Sequence, residues 1–206
     1  MPRVIAIAGP PGAGKSTLAA ALVRELGDAS LLAMDRYQQM TEAPIDEVAR
    51  WAERGADYDA LPVPRLAEHL AALRRGEAVT DPVSGVTNLP GRCYIIFETH
   101  FGRAHRATGP LIDLLLWLDT PPDVALARNL RTFIGPMLQL PVRAEALADG
   151  LGWIDDYLAS YLRVVAGLVR LQAERVRPGA DLFVAADAGV SAVASELRRL
   201  IAQRSV

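Results

Sequence analysis

The sequence predicts a three-layer α/β fold, with a parallel five-stranded sheet, helices on both faces and a helical lid. Short apolar runs alternate with longer amphipathic segments, as when strands are each followed by a covering helix. The first apolar run passes through a glycine-rich turn directly into an amphipathic stretch, VIAIAGPPGAGKSTLAAALVREL. A length of 206 residues, 51% of them hydrophobic, suits a single domain over residues 1–206 with a substantial core.

The expected strands are Val4–Ala8, Ser30–Ala33, Tyr94–Phe97, Leu114–Leu118 and Leu182–Val184. Helices are expected to begin near Gly14, Ile45, Pro64, Pro122, Ala144 or Trp153, and Val190. In Thr120-Pro121-Pro122-Asp123 a threonine N-cap precedes prolines, and an acid follows in the first turn. Leu61–Pro64 is an extended lead into a helix over Arg65–Arg75. Thr80–Arg92, with Pro82, Gly85, Pro90 and Gly91, reads as a loop or short hairpin. The lid is expected at about residues 129–152, and Gly150-Leu151-Gly152 should interrupt the helical region after Pro141. Trp153, Tyr157 and Tyr161 recur every four residues, a helical stripe suited to packing.

The formal net charge of −2 leaves no basic field to hold nucleic acid or an anionic membrane. Cys93 is the only cysteine, so no intrachain disulfide forms, and its place in CYIIF suits a small buried hydrophobe. No signal peptide is read before the first strand, and LIDLLLWL carries Asp113 and is too short to span a bilayer, so the expected location is the cytoplasm. A homo-oligomer stays open.

Of 22 basic residues, 21 are arginine, and the single lysine is Lys15 in GPPGAGKST. Gly9, Gly14, Lys15 and Ser16 match G-x-x-x-x-G-K-[ST], the phosphate-binding P-loop, in the required order of strand, loop and helix. Gly9, Gly12 and Gly14 let the backbone curl and aim its N–H groups inward, and the helix that follows adds the positive end of its dipole. Gly9, Gly12, Ala13, Gly14, Lys15, Ser16 and Thr17 are therefore expected to bind the phosphates of a nucleoside triphosphate. Lys15 would reach the β- and γ-phosphates as a compact charge, solvated when no ligand is bound. Ser16 would offer its hydroxyl to Mg²⁺. A forked guanidinium does not fit such a loop, which explains a lysine in an arginine-using chain. A guanine-reading N-K-x-D motif needs a second lysine, which argues against a GTPase of that type.

In a parallel sheet, strand C-termini share the edge that carries the phosphate loop. Asp35, after the second strand, should face the γ-phosphate, as the base for an attacking hydroxyl or on Mg²⁺-bound water. Glu98, after Tyr94–Phe97, stands where a second acid for the metal belongs. His100 and Arg103 follow as candidate contacts to an acceptor. Arg128 and Arg131 share a helix face and are candidates to clamp phosphates.

These segments resemble the uridine kinase/phosphoribulokinase family of P-loop kinases from Arg3 to about Ala202. Met34-Asp35-Arg36-Tyr37 resembles the family's acid-x-aromatic segment, which implies Asp35 as catalytic base and Tyr37 near the substrate. PRLAEHLAALRRGEAV resembles the helix before the family's hairpin, and favours this family over kinases of the shikimate or gluconate type. YIIFE resembles the strand whose glutamate serves the metal, here Glu98, followed by Thr99 where the family has glycine. IDLLLWLDTPPDVALAR resembles the strand and helix leading to the lid, with Arg128 matched to a lid arginine. Gly179–Val184 resembles the last strand, whose following loop lies near adenine. Asp59 or Asp57 takes the place of an aspartate that binds the acceptor sugar.

The resemblance implies transfer of the ATP γ-phosphate, with Mg²⁺, to a hydroxyl of a nucleoside or other polyhydroxy metabolite. The shortened hairpin, whose polar side chains over Val83–Leu89 are Ser84, Thr87 and Asn88, weighs against pyrimidine recognition. The alternative is a P-loop ATPase or nucleotide-binding regulatory module with no small-molecule acceptor.

Overall fold

Alternate residues of the first strand face opposite ways, and each way meets a separate core. Val4, Ala6 and Ala8 join one apolar cluster, whereas Ile5 and Ile7 join another. This is the period-two signature of a strand covered on both faces. The computed structural model describes residues 1–37, 43–88, 93–138, 144–185 and 189–203. Along the chain these form β1 (Arg3–Ala8), α1 (Lys15–Leu26), β2 (Ala29–Ala33), α2 (Ile45–Glu53), α3 (Leu66–Arg74), β3 (Val79–Thr80), β4 (Thr87–Asn88), β5 (Tyr94–Glu98), β6 (Leu114–Asp119), α4 (Pro122–Met137), α5 (Ala144–Ser160), α6 (Ala166–Val176), β7 (Leu182–Ala185) and α7 (Val190–Gln203).

The main sheet has five strands in the order β2-β5-β1-β6-β7, with every neighbouring pair parallel. On one face, Phe97, Leu115 and Trp117 pack against Leu66, Leu70 and Leu73 of α3 and Val176 of α6. On the other, Ile96 and Leu116 pack against Leu18 and Leu22 of α1 and Leu197 and Ile201 of α7. The three layers and five parallel strands agree with the expectation. β3 and β4 pair as a short antiparallel ladder, as the hairpin reading allowed, and residues 89–92 of that segment lie outside the described residues.

Carboxylates close the N-terminal edge of the sheet. Asp113 accepts the Val4 N–H at 2.8 Å and an Arg74 N–H at 2.7 Å. Asp181 accepts the Leu115 N–H and an Arg103 N–H, both at 2.7 Å. Each acid satisfies a strand-start donor that has no ladder partner, and each is tied by a charge-assisted bond. Among the described residues no helix is long and apolar enough to cross a membrane.

Several local readings need correction. Gly150-Leu151-Gly152 does not break the helix: α5 runs through it, and a five-residue π stretch, Tyr161–Val165, continues it into α6. Packing outweighs the low helix propensity of glycine, of order 1 kcal/mol per residue. Phe133 of α4 meets Trp153 at a ring-centroid distance of 4.6 Å and Tyr157 at 5.6 Å, so these two rings of the stripe pack on α4, with Trp153 still 45% exposed rather than in the core. Residues 139–143 of the expected lid lie outside the described residues. Thr120 does not cap α4. The helix starts at Pro122, so the capping residue is Pro121, which has no side-chain acceptor, and Thr120 lies one residue before the cap. Cys93 is exposed, since it stands just before β5 and outside the sheet. α3 starts at Leu66 because Arg65 takes a left-handed φ of 63°.

Gly152 lies in the interior of α5, and a methyl group added there would meet nothing within 4 Å. Gly152→Ala should therefore raise unfolding stability by about 0.5–1 kcal/mol. Chemical denaturation checks this, and a loss of stability would mean that the helix is interrupted there.

Candidate active site

The turn from β1 into α1 wraps closely around its own lysine. Gly12 and Gly14 adopt φ of 82° and 94°, which side chains disfavour. A Cβ on Gly12 would lie 2.1 Å from the Ala125 carbonyl oxygen, so α4 rests directly on the loop. Lys15, the first residue of α1, is only 6% exposed. Its Nζ donates to the carbonyl oxygens of Gly9 and Pro10, both at 3.1 Å. The lysine is thus buried rather than solvated, because the loop that would enclose phosphates also supplies carbonyl acceptors. Burial pulls the Lys15 pKa down, and the Glu98 and Asp35 carboxylates oppose that shift.

The neighbouring strands end on the same edge. Ile7 of β1 and Ala33 of β2 both stand opposite Glu98 of β5. Glu98 is buried, and its Oε1 accepts the Ser16 hydroxyl at 2.8 Å. Asp35 lies in the short 3-10 turn after β2, where its Oδ1 is 2.7 Å from His100 Nε2. The hydrogen bond from His100 holds the Asp35 carboxyl below its ordinary pKa. Burial opposes this, and the charges of His100 and Lys15 add to it. Asp35 is therefore ionised at neutral pH and able to accept a proton.

These groups share a cavity of about 470 Å³, lined by Lys15, Ser16, Asp35, Glu98, His100 and Arg128, among others. Gly12, Gly14 and Thr17 of the loop also line it. A second cavity, of about 240 Å³, begins on the other side of the loop at Ala13, Gly14 and Thr17. Its far walls are apolar, from Leu118, Val184 and Val193, and it too reaches Arg128. Thr120 lines it, and the Thr120 hydroxyl is buried without a hydrogen-bond partner. A buried hydroxyl left unpaired is costly, which suits a site completed by a polar ligand. Residues 186–188, which follow β7 in the sequence, lie outside the described residues.

The structure does not bring every candidate here. Tyr37 turns into the core beside α3, where its hydroxyl pairs with His69 Nδ1 at 2.9 Å. Asp59 accepts the Arg106 N–H at 2.8 Å and the Arg106 side chain at 3.1 Å, and Asp57 accepts the Asp59 N–H. Arg103 sits at the opposite edge of the sheet, on Asp181 and the Gly179 carbonyl, because the turn after Phe101 doubles back under β6. Arg131 is exposed and lines neither cavity.

Gln172 escaped the sequence reading. Its Nε2 donates to the carbonyl oxygens of Gly9, at 3.2 Å, and His100, at 2.8 Å. It therefore ties α6 to both the phosphate loop and the turn that carries His100. Its signal is a polar residue in the otherwise apolar buried stripe Val169–Gln172–Val176.

The Ser16 hydroxyl and the Glu98 carboxylate are hard oxygen donors of the kind Mg²⁺ takes. Among the described residues no three His, Cys, Asp or Glu side chains form a complete metal site. The donor pair thus fits a cation that brings most of its ligands as phosphate and water.

No family model matches the chain. A uridine kinase of Geobacillus kaustophilus (strain HTA426) is 25% identical over 225 residues, covering 100% of this chain and 98% of that protein. A uridine kinase of Geobacillus sp. (strain WCH70) is 28% identical over 144 residues, 63% of this chain and 66% of that protein. Among solved structures, a shikimate kinase from Acinetobacter baumannii in complex with shikimate gives a TM-score of 0.54 at 17% identity, over 100% of this chain and 96% of that one. A possible uridine kinase from Bacillus stearothermophilus gives 0.50 at 18% identity, over 88% of each chain. The chain has the P-loop fold of these structures and is uridine kinase-like in sequence, which supports a P-loop kinase.

Burial of Lys15 sharpens what its replacement should do. The Lys15→Ala variant loses a desolvated cation whose acceptor at Gly9 keeps Gln172 as donor, so the fold should persist. ATP affinity should drop by at least about tenfold, one charge-assisted contact being worth roughly 1.5–3 kcal/mol. Lys15→Arg should be no better, because a wide, forked guanidinium would have to replace a compact ammonium buried against the Gly9 and Pro10 carbonyls. Calorimetric ATP titration with circular dichroism reads both, and near-normal binding by the arginine variant would sink the steric account.

Proposed function

We propose that this chain is an ATP- and Mg²⁺-dependent kinase that phosphorylates a hydroxyl of a small molecule. The observation that carries the reading is one cavity shared by a phosphate loop with its lysine, a serine–glutamate pair and an ionised aspartate held by a histidine. The loop N–H groups and Lys15 bind the β- and γ-phosphates, with Arg128 beside them. Ser16 and Glu98 hold Mg²⁺, which neutralises phosphate charge when bound. The apolar cavity with the Thr120 hydroxyl takes the adenosine end. Asp35 accepts the proton of the attacking hydroxyl as its oxygen bonds to the γ-phosphorus and the bond to the β-phosphate oxygen breaks, releasing ADP. His100 orients Asp35 and keeps it ionised.

The relatives named uridine kinase make nucleosides one acceptor class to try. In the hairpin Ser84 donates its hydroxyl to Asp81 within the turn, which leaves that side chain less to offer a pyrimidine.

The Asp35→Asn variant keeps its shape but cannot take a proton, so kcat should fall by about 10²–10⁴-fold with ATP affinity little changed. A parallel collapse of ATP binding would make Asp35 a metal or folding residue instead. The folded carboxyl is depressed by His100, so activity that needs it ionised is lost only as pH falls through that lowered value. His100→Ala removes the largest lowering contribution. The acid limb of kcat/KM should then move to higher pH, and an unmoved limb would count against the pair. In Glu98→Gln the Mg²⁺ dependence should shift to higher concentration. ATP turnover that no alcohol stimulates would favour the ATPase or regulatory reading.

A further inference from the structure

A third cavity, of about 410 Å³, lies on the far side of His100. It adjoins the phosphate cavity at Pro11 and His100, which line both. An occupant that reaches past His100, the partner of Asp35, would have one end beside that carboxylate and its body in this groove. That body would meet mostly apolar surface: Ile45, Val48 and Trp51 on α2, with Leu168 and Val169 on α6. Trp51, Tyr58 and Phe101 form a stacked run, with ring centroids 6.4 and 4.6 Å apart and planes within 30° and 23°. The π stretch sets the opposite wall. It opens a spacing of five between Ser160 and Val165, which keeps Tyr157 and Ser160 on the same side as Leu168 and Val169.

The groove is lined mainly by apolar side chains, with Tyr58 OH and Ser160 Oγ among its few polar atoms, and several of the others are engaged. Trp51 Nε1 donates to the Asp57 carbonyl, Tyr157 OH accepts from Asn129, and Gln172 donates to two backbone carbonyls. No Asp, Glu, Lys or Arg lines it among the described residues. Asp59 and Arg103, the groups expected to read hydroxyls, are bound elsewhere. A polyol buried here would outnumber the groove's few polar partners and leave hydroxyls unpaired, which is costly away from water. A flat apolar ring would instead stack on the aromatic wall.

Resting on the kinase reading above, we infer that the acceptor is an alcohol whose hydroxyl stands on a short arm from a flat, largely apolar ring system, and not a sugar or polyol. The third cavity takes the ring and Asp35 takes the hydroxyl proton.

The test uses the full chain and a panel of 2-phenylethanol, 2-naphthalenemethanol, uridine, cytidine, ribose and ribitol. Binding is measured by calorimetry without ATP, and kcat/KM by ATP-dependent phosphorylation. The aryl alcohols should bind and should exceed ribose and ribitol in kcat/KM by at least about tenfold, within the range that pocket contacts deliver. The Val48→Asp and Leu168→Gln variants should weaken aryl-alcohol binding at least about tenfold by placing polar groups against the ring, while ATP binding and thermal unfolding stay close to wild type. Two different elements are altered so that misfolding of one variant leaves the other to read. Phosphorylation of sugars, polyols or pyrimidine nucleosides in preference to every aryl alcohol would overturn the inferred class and leave the kinase reading intact. Absence of aryl-alcohol binding at millimolar concentration would also overturn it. Aryl alcohols that bind with the expected variant effects, but with no acceptor in the panel stimulating ATP turnover, would uphold the ring-binding groove and overturn the kinase reading.

Discussion

A buried ammonium must be surrounded by acceptors, and the way Lys15 meets that requirement organises the whole site. Its first partners are the carbonyls of Gly9 and Pro10, which fixes the curl of the loop from inside. The Glu98 and Asp35 carboxylates stand close enough to oppose its loss of charge, which links the ends of β5 and β2 to the same point. Gly9 then accepts a second donor, Gln172, and Gln172 reaches on to His100. One cation thereby connects the phosphate loop, two strand ends, the histidine turn and the long helix. Phosphates entering the loop would offer Lys15 better acceptors than neutral carbonyls, since bonds to charged groups are stronger. The carbonyl pairs hold the lysine in place for that exchange.

The sheet explains why these groups meet. With every neighbouring pair parallel, each strand delivers its following residue to the same edge. α1 and α7 cover one face and α3 and α6 the other, so the edge is left as the place where loops converge. α4 closes this edge from above through its contact with Gly12, where a single methyl group would meet the Ala125 backbone. The glycine in the loop is thus set by helix packing as well as by phosphate approach.

Much of this is legible in the sequence because it is local. Strand, loop and helix follow from one stretch around Lys15, and the positions of Asp35 and Glu98 follow once the strands before them are recognised. What escapes is long-range. Gln172 acts on Gly9 across 163 residues, and no local pattern says where a glutamine in a buried stripe will point. The continuity of α5 past two glycines depends on aromatic packing against α4, which propensity does not contain. The unpaired Thr120 hydroxyl reads as a helix cap because the residues around it fit that motif, but the helix starts at Pro122 and leaves Thr120 one residue before the cap.

The sequence misleads most about charge, for a physical reason. An acid or arginine near a strand end suits substrate recognition and also suits closing the opposite edge of the sheet. Parallel strands leave unpaired N–H groups at their starts, and a carboxylate there can accept from the backbone and from a guanidinium together. Asp113 does so with Val4 and Arg74, and Asp181 with Leu115 and Arg103. Asp59 likewise fastens the turn at Arg106. A carboxylate saturated in this way has little left to offer a substrate hydroxyl. Arg103 and Asp59 are thus committed to holding the fold, and the surface beside His100 is made largely of Trp51, Tyr58, Phe101 and the aliphatic side of α6. On the function proposed above, specificity on that surface would come from shape and ring stacking, with Asp35 as the ionised group that meets the reacting oxygen.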